Sequence, residues 1–397
     1  MADVRPETDP MGRSLNFAQL DDPYPTLNQL RESDPIGPTP FGFWRVMRHA
    51  EVVALLRHGG AGKRNSLDQV AFAQEGFGRG LFMLNQDPPA HTRLRRLVSR
   101  AFTPRAVERM RPRIERLVEE LLDRVANAGE MDVTADLALP VPATVICEMM
   151  GVPLSDRDRF TTWTADSTYG LLGSLATPDL LQRAQRAQQA LGEYFTRLIE
   201  RRSSELGDDM LSTMIRAADD GDRLSSAELL VQSSGLLVAG FETTIGLIGN
   251  GVRALLMHPE QLARLRDDPD LIEPAVEECL RFDGPVMASQ RVVQGDVEIA
   301  GVTIPRDAVV IASLAAANRD PRVFADPDRF DIARDPNDHV SFGGGVHFCL
   351  GAHLARVEAR AAIGGLVRRF PRLKLASERP EWGRSLFRVL GRMPVTL

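Results

Sequence analysis

HVSFGGGVHFCLGAHLAR, residues 339–356, sets three adjacent glycines, a histidine and a cysteine directly before a segment with helical apolar spacing. Glycine runs adopt backbone angles that other residues resist, so the chain can approach a flat, bulky group closely before it enters a helix. A cysteine at the start of that helix lies near unpaired N–H groups and the positive end of the helix dipole, which favour a thiolate. On these grounds Cys349 is a buried structural residue, a nucleophile or a metal ligand. Zinc fits poorly, because His347 and Cys349 supply at most two ligands and neither other cysteine brings a second pair at the usual spacing. A nucleophile lacks an assignable partner histidine or carboxylate.

The rest of the chain narrows the setting. Its 397 residues are 43% apolar and 26% charged with a net charge of −6, which describes a globular protein and excludes a disordered or fibrous one. The opening MADVRPETDPMGRSLNFAQL lacks the basic-then-apolar pattern of a secretory signal or membrane anchor, so a cytoplasmic location is expected. Cys147, Cys279 and Cys349 are odd in number and widely spaced, which is no disulfide framework and suits a reducing compartment. Lysine occurs only at 63 and 374, so arginine carries nearly all the positive charge. Nine arginines between 91 and 116 meet only Glu108 and Glu115, a block that reads either as a solvated helix face or as a dock for an acidic partner. Nucleic-acid binding is disfavoured by the negative net charge and by the lack of interleaved aromatics.

Helical periodicity dominates, over 105–128, 141–150, 179–206, 225–257, 270–282 and 350–370. Strand signals are sparser, at 43–47 and within 297–313, with a C-terminal hairpin expected over 385–397 and a long turn-rich loop over 316–341. Without repeats or a Gly/Ser linker, one domain over 1–397 is expected, mainly α with small β-sheets. Residues 225–257 are apolar enough to suggest a membrane span, but Glu242 lies near their centre, where a carboxylate costs about 2.5–3.5 kcal/mol in a bilayer. A helix through a protein core is the better reading, opened by a Ser225–Glu228 capping box. Gly240, Gly246, Gly249 and Gly251 within it predict close packing or a local opening.

Haem iron is the best match for Cys349, since thiolate is one of its few axial ligands. FGGGVHFCLG, Phe342 to Gly351, fills every fixed position of the haem-binding signature of the cytochrome P-450 family, which the chain resembles over nearly its whole length. The resemblance implies the family's triangular-prism α+β fold, with haem b between the long central helix and the Cys-loop helix. It makes Cys349 the iron's proximal ligand, Phe342 its packing neighbour and His347 a propionate contact, with Gly343 and Gly351 shaping the loop. Glu278 and Arg281 resemble the family's Glu-x-x-Arg, and Arg329 in DPDRFD is expected to complete a buried triad. AGFETT resembles the oxygen-activation motif: Ala239 lies against the haem, Gly240 loosens the helix, and Glu242 with Thr243 delivers the protons that O–O cleavage consumes. DPPAHTRLRR resembles the haem-edge helix, so that His91 and Arg95, and with them Arg291, are expected at the propionates.

What the resemblance implies is insertion of one oxygen atom from O2 into a C–H bond. The electrons would come from NAD(P)H through a separate ferredoxin or flavodoxin and its reductase, docked at Arg93, Arg96 and Arg100. The protein would act as a monomer with no membrane anchor. Phe82, Val238, Ala239, Val286, Met287, Ala288 and Phe387, with Phe72, Phe77 and Trp163, would line an apolar pocket for a hydrophobic small molecule. Arg64 or Arg384 is its only candidate cation. A peroxide-driven haem peroxygenase and a non-catalytic haem-thiolate sensor are the alternatives.

Overall fold

A computed structural model describes residues 20–40, 42–63, 81–170, 177–219, 222–383 and 385–397. The expectations at Arg64, Phe72, Phe77 and Arg384 therefore lie outside the described residues.

The central helix runs unbroken from Ser226 to Met257. Its start is the expected capping box, in which Ser225 Oγ accepts from Glu228 N at 3.2 Å and Glu228 Oε2 accepts from Ser225 N at 2.8 Å. Most of its length is buried, against the helices Pro140–Met149, Arg157–Thr168, Pro178–Ser204, Ile272–Asp283 and Ala352–Arg369. Two of its glycines are explained by close packing. A Cβ at Gly246 would lie 2.6 Å from Pro285 Cβ, and one at Gly251 would lie 2.9 Å from Ile363 Cδ1. The anticipated opening at Gly240 is absent, since the helix continues through it.

Leu236, Leu237, Phe241, Ile248 and Val252 of this helix share the main core with Ile114 and Leu122 of the helix Pro104–Val125 and with Ile363 and Leu366 of the helix Ala352–Arg369. A five-stranded sheet packs a second, smaller core. It orders the strands Ile36–Pro38, Trp44–Val46, Val309–Ser313, Ala288–Val293 and Ala61–Gly62, with Trp44–Val46 parallel to Val309–Ser313. The C-terminal hairpin does not form. Leu390–Arg392 pairs with Glu381–Trp382, whereas Pro394–Thr396 pairs with Lys374–Leu375 and Glu130–Asp132, because a single residue, Met393, is too short a link to fold one strand back on the other.

Candidate active site

The Cys loop is held from behind by a buried ionic knot. Arg281 donates to both oxygens of Glu278, at 2.7 and 2.8 Å, and to the carbonyls of Asn318, Pro327 and Arg329. The third member is Arg334. Its Nε reaches the Glu278 carboxylate at 3.2 Å, and Asn337 Nδ2 and Asp331 N also donate to that carboxylate. Arg329 is not in the triad: its carbonyl turns inward to Arg281 and Arg334, so its side chain points out, 61% exposed, to Asp331. From the knot the order passes to the loop. Asn318, whose carbonyl Arg281 holds, bonds Val340 N and Ser341 Oγ, and Ser341 Oγ donates to Leu280 O.

Beyond Ser341 the glycines permit the turn. Gly343 and Gly345 have φ of +72° and +65°, and a Cβ at Gly345 would sit 2.3 Å from Leu56 O. Cys349 N donates to Phe342 O at 3.0 Å, which closes the loop. The Phe342 ring lies under the Arg356 guanidinium, 4.4 Å away, and Glu277 fixes that guanidinium at 2.6 Å. Cys349 is exposed as a residue. Burial pushes the thiol pKa up, against the Gly351 N–H, Arg95 and Arg356. Burial thus opposes the thiolate bias expected at the helix start, where Gly351, two residues on, is the N-cap and its N–H favours the thiolate. Metal coordination would itself remove the proton.

Beside the loop gathers a cluster of donors with few acceptors. The His91 and His347 rings lie 4.3 Å apart. His91 Nδ1, both ring nitrogens of His347 and Arg291 Nε are buried without a hydrogen-bond partner. Burial and the neighbouring cations lower the His347 pKa, and burial lowers that of Arg291 to about 10. Lys63, brought down to about 7 by burial and Arg291, belongs to the same group. Asp87 is the acid that faces them among the described residues: Lys63 N at 2.7 Å and Gln294 Nε2 at 2.5 Å donate to it, and His347 Nε2 lies 3.7 Å away. So many buried, unpartnered nitrogens around one carboxylate call for an anionic guest. Arg95 lies close enough to His91 to help lower its pKa, and it donates to Val346 O and Phe348 O at 3.2 and 2.7 Å, bracing the Cys loop.

On the central helix, Ala239 and Gly240 are exposed. Among the described residues nothing lies within 4 Å of a Cβ built on Gly240. Glu242 follows, its pKa raised by burial against hydrogen bonds from Ser385 and Thr168, with Oε2 left unpartnered. Thr243 Oγ1 donates to Ala239 O at 3.1 Å, so its proton is committed to the helix while its lone pairs remain available. Thr244 reaches Glu358 on the helix Ala352–Arg369, a buried carboxyl raised to about 8.

The sequence profile of the cytochrome P-450 family matches residues 42–385. The chain belongs to the cytochrome P-450 family. It is 44% identical over 364 residues to the cytochrome P-450 monooxygenase PikC of Streptomyces venezuelae, covering 89% of this chain and 85% of that one. It is 41% identical to the 6-deoxyerythronolide B hydroxylase of Saccharopolyspora erythraea, over 94% of this chain and 96% of that one. A similar solved structure is the P-450 BioI in complex with hexadec-9Z-enoic acid ligated acyl carrier protein, at a TM-score of 0.89 and 38% identity over 97% of this chain and 99% of that one. The family implies haem iron on a cysteine thiolate, and the donor cluster fits it: haem carries two carboxylates, and His91, His347 and Arg291 present buried, unpartnered nitrogens.

Within this P-450 the expected pocket residues separate. Phe82, Val238 and Phe387 are half-buried against the main core, Ala239 and Ala288 are exposed, Val286 packs on the second core and Met287 on a third around Tyr24. Arg93 is withdrawn from any docking face by bidentate pairs with Asp222 and Glu228 at 2.6–3.2 Å, whereas Arg96 and Arg100 are exposed. Sequence reasoning missed Arg334, Lys63, Asp87, Thr168, Ser385 and Glu358. Asp87 lies in the quoted DPPAHTRLRR and Lys63 is one of two lysines, but nothing local marks the others.

Proposed function

We propose that this P-450 acts as one catalytic unit, a haem-thiolate monooxygenase that inserts one oxygen atom of O2 into an apolar small molecule, hydroxylation being the primary outcome. The observation that carries the reading is the set of unpartnered donors, His91 Nδ1, both nitrogens of His347 and Arg291 Nε, beside a loop that presents Cys349. Cys349 holds the iron, His91, His347 and Arg291 bind the propionates, and Arg95 keeps the loop carbonyls in place. Haem supplies, when bound, the redox chemistry that activates dioxygen.

The protein's own part is orientation and proton supply. Glu242, its pKa raised by burial and its Oε2 unpartnered, is the proton donor in this reading, and Thr243 Oγ1 accepts from it or from water and passes a proton on. Ala239 and Gly240 leave the helix face bare for substrate, and the half-buried Phe82, Val238 and Phe387 make the surroundings apolar. Electrons come from NAD(P)H through a ferredoxin or flavodoxin. Arg96 and Arg100, with Val346 and Phe348 exposed on the loop that Arg95 braces, supply a basic rim around an apolar centre for it.

The decisive measurement is the reduced-CO absorption spectrum of the purified protein and of Cys349→Ser. A strongly red-shifted Soret band that the substitution abolishes is expected, and a Cys349→Ser protein with the parental band would overturn the ligand assignment. Product formation with hydrogen peroxide alone, at the rate reached with electron partners, would favour the peroxygenase. Failure to turn over any of a broad apolar panel with competent partners would favour a sensor.

A further inference from the structure

One buried polar side chain of the central helix has no part in the chemistry above. Gln232 is 0% exposed. Its Nε2 donates to Leu81 O at 2.5 Å and its Oε1 accepts from Met83 N at 3.1 Å, so the amide grips the backbone on both sides of Phe82. Only an uncharged amide offers a donor and an acceptor in that fixed arrangement. Three residues on, a Cβ at Gly235 would lie 2.5 Å from Phe82 Cε2 and within 2.8 Å of two further ring atoms. The ring therefore rests directly on the helix backbone. Gln232, Gly235, Ala239 and Thr243 follow at spacings of three, four and four, one stripe of a helix. Phe82 is thus set one turn before the exposed Ala239, on the face that carries Thr243.

We propose that Gln232 and Gly235 form a clamp that fixes Phe82 as the end wall of the substrate cavity, and so set how bulky a ligand this face of the central helix admits. The proposal rests on the haem-monooxygenase reading. Gln232 and Gly235 are positioning residues that act through Phe82. A side chain at 235 drives the ring off the helix toward the cavity, whereas removal of the Gln232 amide frees the backbone that carries it.

The test uses the haem-loaded protein and two azoles whose nitrogen ligates iron, imidazole and 4-phenylimidazole, titrated by their Soret shifts. Imidazole reports access to the iron and the phenyl group reports room beside it. For Gly235→Ala the affinity for 4-phenylimidazole, relative to imidazole, is expected to fall by about tenfold, the scale of a misplaced group in an apolar pocket. Adding Phe82→Leu to that variant restores the parental ratio to within about threefold, the non-additivity expected of groups in contact. Gln232→Leu raises the ratio, because the released ring yields to bulk. Ratios within about twofold of the parent in both single variants, with imidazole affinity and haem content intact, would overturn the clamp. Should Gln232→Leu fail to hold haem, Gly235→Ala and its Phe82→Leu rescue decide alone. A parent without the red-shifted reduced-CO band, read before any azole is added, would overturn the haem-thiolate reading itself.

Discussion

Two buried glutamates divide the molecule. Glu278, behind the Cys loop, accepts from Arg281, Arg334, Asn337 and the Asp331 N–H. Glu242, on the central helix, has only Thr168 and Ser385 among the described residues, with one oxygen unpartnered. A carboxylate paired on every side welds the segments that pair it. One with two hydroxyl partners is pushed by burial toward its protonated form, and a group that holds a proton inside a protein can give it away. The same residue type thus builds scaffold on one side of the molecule and chemistry on the other, and the number of donors around it makes the difference.

The comparison can be broken at its strong end first. Arg334→Ala leaves Glu278 short of a partner in a fully buried site and is expected to cost about 3–5 kcal/mol, read as a large drop in Tm and loss of retained haem. A parental Tm would show that Arg281 suffices alone. Glu242→Gln tests the other end. It should leave Tm and the reduced-CO band near parental while product per NAD(P)H oxidised falls by about tenfold or more, since a proton donor has been removed. Unchanged coupling between NAD(P)H and product would end the proton-donor role. Thr243→Ala is expected to act in the same direction, with reducing equivalents diverted to hydrogen peroxide.

Glu358 sharpens the contrast through pH. Burial raises its pKa from 4.5 to about 8 in the folded protein. The folded state therefore keeps a proton that the unfolded chain releases above pH 4.5, so the stability this group contributes is complete below 4.5 and is lost as pH rises through about 8. Glu358→Gln cannot ionise, and its Tm relative to the parent should climb from pH 5 toward pH 8. Parallel Tm profiles would place the carboxyl in a wetter site. The smallest effect belongs to Arg329→Ala, expected to change stability by less than about 0.5 kcal/mol because its side chain is exposed. A loss as large as that of Arg334→Ala would return Arg329 to the triad.

Those two arginines also show what could be read in advance. The long helices were legible because their apolar periodicity is local, and Cys349, His347 and Phe342 because a ten-residue signature is contiguous. Arg329 and Arg334 stand five residues apart in one turn-rich loop, and which of them turns inward depends on whose carbonyl meets Arg281, a contact across 48 positions. The bracing contacts of Arg95 were hidden for a similar reason: its helical spacing from His91 is local, but the carbonyls it serves lie 251 and 253 residues away in sequence. Thr168 and Ser385, which hydrogen-bond Glu242, come from two segments far from it in the chain, and no periodicity joins them.

The lysine pattern has a practical consequence for chemical labelling. Lys63 is enclosed beside Asp87 and Arg291, whereas Lys374 stands exposed on the short strand before the C-terminal segment. An amine-directed tether, dye or resin would therefore take hold of the described molecule at Lys374, leaving the arginines around the Cys loop unmodified.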